Sequence, residues 1–380
     1  MRPLSLPVMI TVVCAVLWIG MSGAQAFWKK KQRVEMPSYQ VEVVASGFDF
    51  PWSLAFLPNG DFLVTEREGF LNRVDAKTKK VMRVANIPPV IAKGQGGMLD
   101  VVLHPKFAEN QWIYLSHVVP VKEEMTLAIT RARLNETALE DVQEIFRLPK
   151  PSKSKVHFGS RMVFGDDGML YASVGERGSR PRAQDVKDPA GSIIRLKDDG
   201  SIPEDNPFYG REDIHAAIYS YGHRNPQGMA LHPETRDLWI HEHGPRGGDE
   251  VNIIKAGANY GWPVITHGKE YTSPFRVGKG TEDKGVEPSI KYWSPSIAPS
   301  GMAFYTGDDF PQWKGSLLVG ALASAHISRL SLKGNNIVGE DTFLGELEER
   351  IRDVRQGPDG KIYVVLDAVD ANILRLEPKL

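Results

Sequence analysis

The chain has 380 residues, with 46 basic and 47 acidic side chains and a single cysteine, Cys14. Charge this close to balance, without a long run of either sign, gives no support for a nucleic-acid or membrane-surface partner, and one cysteine rules out an internal disulfide framework. No Walker loop, strand-linked GxGxxG or HExxH motif is present, so nucleotide cofactors and zincin chemistry lack support as well.

The first element is a leader. Arg2 precedes an uncharged apolar stretch from Leu6 to Gly20, which ends in the small-residue run Ser22-Gly23-Ala24-Gln25-Ala26. This predicts a secretory signal peptide over residues 1–26, because the apolar core is shorter than the ~20 residues a spanning helix needs. Val12 and Val13 precede Cys14 where a lipoprotein signal carries a small residue, which argues against a lipid anchor. Residues 27–39, with Lys29, Lys30 and Lys31, read as a solvated tail, and residues 40–380 as one domain. The expected location is periplasmic or secreted, with no stable membrane insertion after cleavage.

From there a unit recurs six times: a short apolar strand, a turn rich in Pro, Asp, Asn or Gly, and a second apolar strand. The copies begin with Ser53-Leu54-Ala55-Phe56 before Phe62-Leu63-Val64, and Asp100-Val101-Val102-Leu103 before Trp112-Ile113-Tyr114-Leu115. Met162-Val163-Phe164 precedes Leu170-Tyr171-Ala172, and Gly228-Met229-Ala230-Leu231 precedes Leu238-Trp239-Ile240. The last two pair Gly301-Met302-Ala303-Phe304 with Ser316-Leu317-Leu318-Val319, and Asp353-Val354 with Ile362-Tyr363-Val364-Val365. Each reads as a β-hairpin, since Gly and Asn accept the positive φ of tight turns while Pro and Asp start them.

A lone hairpin cannot bury both faces, but a ring of them can, and a ring also protects strand edges. The pattern therefore predicts an all-β, six-bladed β-propeller with long loops. A β-sandwich would show shorter and more even strand spacing. The early strand Val41-Glu42-Val43-Val44 is expected to pair near Ile373-Leu374-Arg375-Leu376 and close the ring.

The long loops carry the unusual residues. Arg224 and Asn225 in Gly222–Gly228 suit a carboxylate, although a loop arginine also suits a surface ion pair. His157 is placed to act as a general base or as a structural hydrogen-bonder. Asp249-Glu250, beside glycine-rich backbone, suits either calcium or a solvated acidic turn. Arg350-Ile351-Arg352 puts two guanidinium groups on one strand face as an anion clamp.

Taken together and in order, these segments resemble the soluble pyrroloquinoline-quinone (PQQ) sugar dehydrogenases of the glucose/sorbosone dehydrogenase family, especially the aldose branch. The resemblance runs from Pro51-Trp52 to about Leu376 and includes Gln95-Gly96-Gly97, His157-Phe158-Gly159 and Arg224-Asn225-Pro226-Gln227-Gly228. It continues through His243–Glu250, Asn259-Tyr260-Gly261-Trp262-Pro263 and Arg350–Val354.

The resemblance implies oxidation of aldose sugars to lactones, with His157 as the base and hydride passing to a PQQ cofactor assisted by Ca²⁺. It implies that Gln95, Arg224, Asn225, Tyr271, Arg350, Ile351 and Arg352 hold the quinone, together with the turn Ala321-Leu322-Ala323. The carbonyls of Gly244 and Pro245 would bind the calcium at the cofactor, and Glu250 and Tyr260 a second calcium. An electron acceptor that the sequence does not identify would reoxidise the quinone.

Two departures stand out. Ala323 occupies the place where the family carries a lysine, and Val156, before His157, offers no adjacent acid to orient the imidazole, so another loop or water must do so. Two rival readings are a calcium-dependent, lactonase-like propeller hydrolase and a non-catalytic exported propeller binding carbohydrate or protein.

Overall fold

A computed structural model describes residues 37–379. The expected leader at 1–26 and the tail residues 27–36 lie outside the described residues. Among those described, helix is limited to one turn at Phe107–Asn110 and three short 3-10 segments. This follows from the period-two patterning and the spacing of turn residues.

The six hairpins form as expected. Their first strands are Pro51–Phe56, Met98–Leu103, Gly159–Phe164, Pro226–Leu231, Pro299–Phe304 and Ile351–Gln356. Each pairs antiparallel with the next strand, in registers that include Leu54↔Val64, Met162↔Ala172 and Val354↔Val364. The hairpin turns end on glycines such as Gly168 (φ +74°) and Gly360 (φ +76°), in a left-handed conformation that L side chains adopt at a cost.

Each hairpin extends outward to a third and fourth strand, giving six four-stranded antiparallel sheets. This is the six-bladed β-propeller and not a sandwich. The ring closes as predicted: Tyr39–Phe48 forms the outermost strand of the last blade, with Val41 opposite Leu376 and Val43 opposite Leu374.

The core lies between blades. Trp239 and Val251 of the fourth blade pack on Met302, Leu317 and Val319 of the fifth, and the Trp239 ring meets Phe304 edge-on at 5.5 Å. Burying one such aliphatic side chain contributes about 1.5–3 kcal/mol, so the seams between blades hold the ring together.

The inner strands share a positional rule. Each breaks register near its start, for example between Gly159 and Met162 and between Ile351 and Asp353. The second residues are Trp52, Leu99, Ser160, Gln227, Ser300 and Arg352, and all but Ser300 line one cavity. The third residues are Ser53, Asp100, Arg161, Gly228, Gly301 and Asp353. Several of them converge in a buried polar cluster, which the partly buried Arg355 joins. Arg161 binds Asp100 at 3.0 Å and Asp353 at 3.3 Å, and Arg355 binds Asp353 at 2.9 Å and Asp100 at 3.3 Å. Two cations facing two anions make this cluster neutral, and such pairing is the condition for burying charge.

Candidate active site

The inner-strand starts, the loops that lead into them and the loops that follow the second strands enclose a cavity of about 300 Å³. Its walls include Trp52, Arg67, Gln95, Phe158, Asn225, His243, Leu322, Arg350, Arg352 and Asp367. That volume is at the small end for a cofactor or metabolite site.

His157 adjoins the wall residues Gln95 and Phe158 but does not itself line the cavity. Its backbone N–H donates to Gln95 Oε1 at 2.7 Å, and its Nδ1 lies 2.6 Å from Glu176 Oε2. Glu176 is buried and follows the strand Leu170–Val174, so the missing orienting acid comes from another loop. The same carboxylate oxygen accepts from the Gly178 N–H at 2.8 Å. With Nδ1 engaged, Nε2 is the ring nitrogen left for a substrate.

The backbone around this imidazole is strained and tightly held. His157 has φ +55°, a left-handed conformation for a non-glycine residue. Gly159 donates its N–H to Asn225 Oδ1 at 3.0 Å. Arg177 bonds the carbonyls of Ser154 and Val156, and its guanidinium stacks 3.4 Å from the Phe158 ring centre. Gln95 and Asn225 thus fix the base loop as well as lining the cavity.

Arg350 and Arg352 reach the cavity, but both also engage Asp367. Arg350 Nε lies 2.9 Å and Arg352 NH2 3.1 Å from its carboxylate. The clamp is therefore partly neutralised by an acid that the local sequence did not place there. Arg67 adds a cation with no ion pair among the described residues. Arg224 lies behind the wall: NH1 donates to the His243 carbonyl at 3.1 Å, NH2 approaches the Tyr271 hydroxyl at 3.5 Å, and its buried Nε has no partner.

Leu322 lines the cavity and its carbonyl accepts from Arg350 NH1 at 3.1 Å, whereas Ala321 and Ile351 are buried behind the wall and Ala323 is exposed. Tyr271 is 62% exposed and borders a neighbouring groove with Pro245, Arg246 and Lys269, so it is not part of the cavity wall.

The acidic segment divides by strand alternation. Asp249 is buried and accepts from the N–H groups of Gly244 and Ala298, both at 2.9 Å, and from the Ser296 hydroxyl at 3.0 Å, so it organises the loop. Glu250 points the other way, into a space of about 10 Å³ shared with Gly244, Glu242, Tyr260 and Trp262. That is room for about one water-sized occupant. Burial and the Glu242 carboxylate push the Glu250 carboxyl up to about 8. The Tyr260 hydroxyl is engaged with Ile253 and Lys255, leaving its backbone oxygen as the available donor. The Pro245 carbonyl accepts from Ser296 at 3.2 Å.

His241 and His243 part because the strand Leu238–Glu242 ends between them. His243 Nε2 donates to the Pro299 carbonyl at 2.7 Å, and burial pulls its pKa down to about 3, keeping the ring neutral. His241 is buried in the interior.

The sequence reading did not identify Glu176, Arg177, Asp367 and Arg67. The one local signal for the first two was an acid and a base between glycines, Gly175-Glu176-Arg177-Gly178, directly after a strand.

Residues 48–375 match the model of the Glucose / Sorbosone dehydrogenase family. The chain is 43% identical over 346 residues to the aldose sugar dehydrogenase YliI of Escherichia coli K12, covering 89% of this chain and 93% of that protein. Among solved structures, the apo-form of the soluble aldose sugar dehydrogenase from E. coli superposes with a TM-score of 0.86 at 42% identity, covering 90% of this chain and 100% of that one. The PQQ-bound form of the aldose sugar dehydrogenase from Streptomyces coelicolor gives a TM-score of 0.76 at 33% identity, covering 90% and 99%. The chain therefore belongs to the glucose/sorbosone dehydrogenase family of six-bladed propellers.

Proposed function

We propose that this protein is an exported enzyme that oxidises aldose sugars to lactones with PQQ and calcium, using His157 as general base. The observation that carries the reading is the His157–Glu176 pair, set at 2.6 Å directly behind Gln95 and Phe158, two wall residues of a cavity rich in guanidinium groups.

The residues fit the cofactor. PQQ carries three carboxylates, and Arg67, Arg350 and Arg352 leave a cationic excess over Asp367 in the cavity, with the buried Arg224 Nε unpartnered behind it. Guanidinium groups suit carboxylates because each offers a planar fork of donors. Gln95, Asn225 and the Leu322 turn supply the remaining walls. A cation also fits: Glu250 and Glu242 share a one-occupant space, where burial and their mutual repulsion raise the Glu250 carboxyl and a bound cation would offset both. Glu250 and the Tyr260 backbone oxygen would hold one calcium, and the Gly244 and Pro245 carbonyls another at the cofactor. Bound in the cavity, PQQ supplies a two-electron acceptor for the hydrogen leaving the anomeric carbon, and calcium adds Lewis acidity that strengthens it.

The chain's own part is proton handling and orientation. Glu176 holds Nδ1 of His157, which fixes the tautomer with Nε2 as the acceptor. Nε2 takes the proton of the anomeric hydroxyl as the sugar is oxidised, and Glu176 stabilises the imidazolium that results. Gln95, Asn225 and Arg177 keep the ring beside the cavity despite its strained backbone. Ala323 brings no charge to the rim, so the arginines carry the carboxylate contacts and cofactor affinity is lower than a lysine at 323 would give.

Purified protein stripped with chelator should oxidise aldoses in a dye-linked assay only after both PQQ and Ca²⁺ are restored, and the product should be the lactone by NMR. Lactone hydrolysis with calcium alone would instead support the hydrolase, and saturable sugar binding without turnover the binding module.

A further inference from the structure

The segments Gly244–Gly248, 266–270 and 274–279 lie side by side at the groove next to the cavity. Isolated bridges join Arg246 to Lys269 and Lys269 to Arg276, placing three cations directly across from one another, and all three side chains are exposed. Like charges at opposed positions are destabilising. The acids of the neighbourhood do not relieve them. Glu270 is paired with Arg180 at 2.7 Å, Glu287 with Lys255 at 2.7 Å and Glu340 with Lys291 at 2.8 Å. Glu282 borders the adjacent groove under His267 and forms no ion pair among the described residues.

The same patch carries exposed aromatics, Tyr271 at 62% and Phe275 at 73%. Aromatic and arginine side chains ringed by charge are typical of protein interfaces. The patch also touches the site. Arg246 lies three residues from His243 of the cavity wall, and Tyr271 meets Arg224.

We propose that Arg246, Lys269 and Arg276, with Phe275, form the docking surface for an acidic electron-carrier protein that removes electrons from the reduced enzyme. This rests on the dehydrogenase reading, which requires two electrons to leave after each sugar is oxidised. An anionic partner relieves the like-charge contact and is steered to the cavity mouth by it.

The test uses the holoenzyme with an acidic cytochrome c, a basic cytochrome c and the small dye phenazine methosulfate as acceptors. At 20 mM salt the acidic cytochrome should be reduced with the higher kcat/KM, falling about tenfold by 300 mM as screening shortens the steering field. The double substitution K269E/R276E should lower kcat/KM for the acidic cytochrome about tenfold, leave dye turnover unchanged and leave the melting temperature unchanged or raised.

Surface plasmon resonance of the oxidised acidic cytochrome on wild type and K269E/R276E reads docking without turnover, and only wild type should bind in a salt-sensitive way. Preference for the basic cytochrome, or equal behaviour of wild type and K269E/R276E, overturns the proposal. Loss of dye turnover in wild type with the binding difference intact overturns the dehydrogenase reading instead.

Discussion

A histidine held at φ +55° in a loop needs outside support, because that conformation costs of order 1–3 kcal/mol. Here the support and the chemistry share residues: Glu176 orients the ring, while Gln95 and Arg177 bind the backbone on either side. Glu176 is a positioning residue by this geometry. E176Q should lower kcat by about 10²-fold, within the range of a general-base contribution, with a small change in KM for the sugar. E176D should recover part of it, as steady-state kinetics will show.

Elsewhere a buried histidine sets acid sensitivity. His117 is buried with Nε2 2.8 Å from Thr130 Oγ1, and burial pulls its pKa down to about 4. The unfolded chain takes up this proton below its ordinary pKa near 6.5, while the folded one resists until about 4. Stability from this residue is therefore complete above about 6.5 and is lost as pH falls toward 4. Linkage puts the loss near 2 kcal/mol at pH 5. Urea unfolding at pH 8 and pH 5 should show it, and H117Q should remove that share of the pH dependence.

At the scale of elements, every inner strand but Pro299–Phe304 presents its second residue to the site, all six turn their third to the interior, and the register break near the start permits both. Glycine at the third position is a packing requirement in two blades. A Cβ on Gly301 would lie 2.0 Å from Asp353 Oδ1, and one on Gly228 would lie 2.1 Å from the His241 ring. G301A is expected to destabilise by about 1–3 kcal/mol through overpacking, measured as a lowered midpoint in thermal denaturation, with the cavity residues unchanged.

These elements also show what the sequence could reveal. Pro58-Asn59-Gly60 and Gly357-Pro358-Asp359-Gly360 mark their hairpins by turn chemistry alone, so the inner half of every blade was legible. Apart from the closing strand at Val41–Val44, the outermost strands were not: Val81–Arg83 has three residues, and Leu139–Arg147 is largely polar and exposed, with no buried alternation to betray it.

For the molecule as a whole, the ring is what assembles the site. Gln95, His157, the Arg224-Asn225 pair and Arg350 come from four loops that lead into four different blades, and closure of the ring by Tyr39–Phe48 against Ala371–Pro378 gathers them in or beside one cavity. Order along the chain made these residues recognisable, but contacts across the ring could not be read from it. The pairing of Asp367 with Arg350 and Arg352 spans a hairpin, and that of Glu176 with His157 spans two loops, so neither follows from local pattern.

The central claim is that this opening oxidises sugar through a bound quinone with His157 as base. The most direct measurement is anaerobic spectrophotometry of the PQQ- and calcium-loaded protein mixed with an aldose and no acceptor. The account predicts reduction of about one equivalent of bound quinone in wild type, and in H157A a quinone that stays bound but is reduced at least 10²-fold more slowly. Quinone left oxidised by every aldose in wild type, or reduced equally fast in H157A, would contradict it.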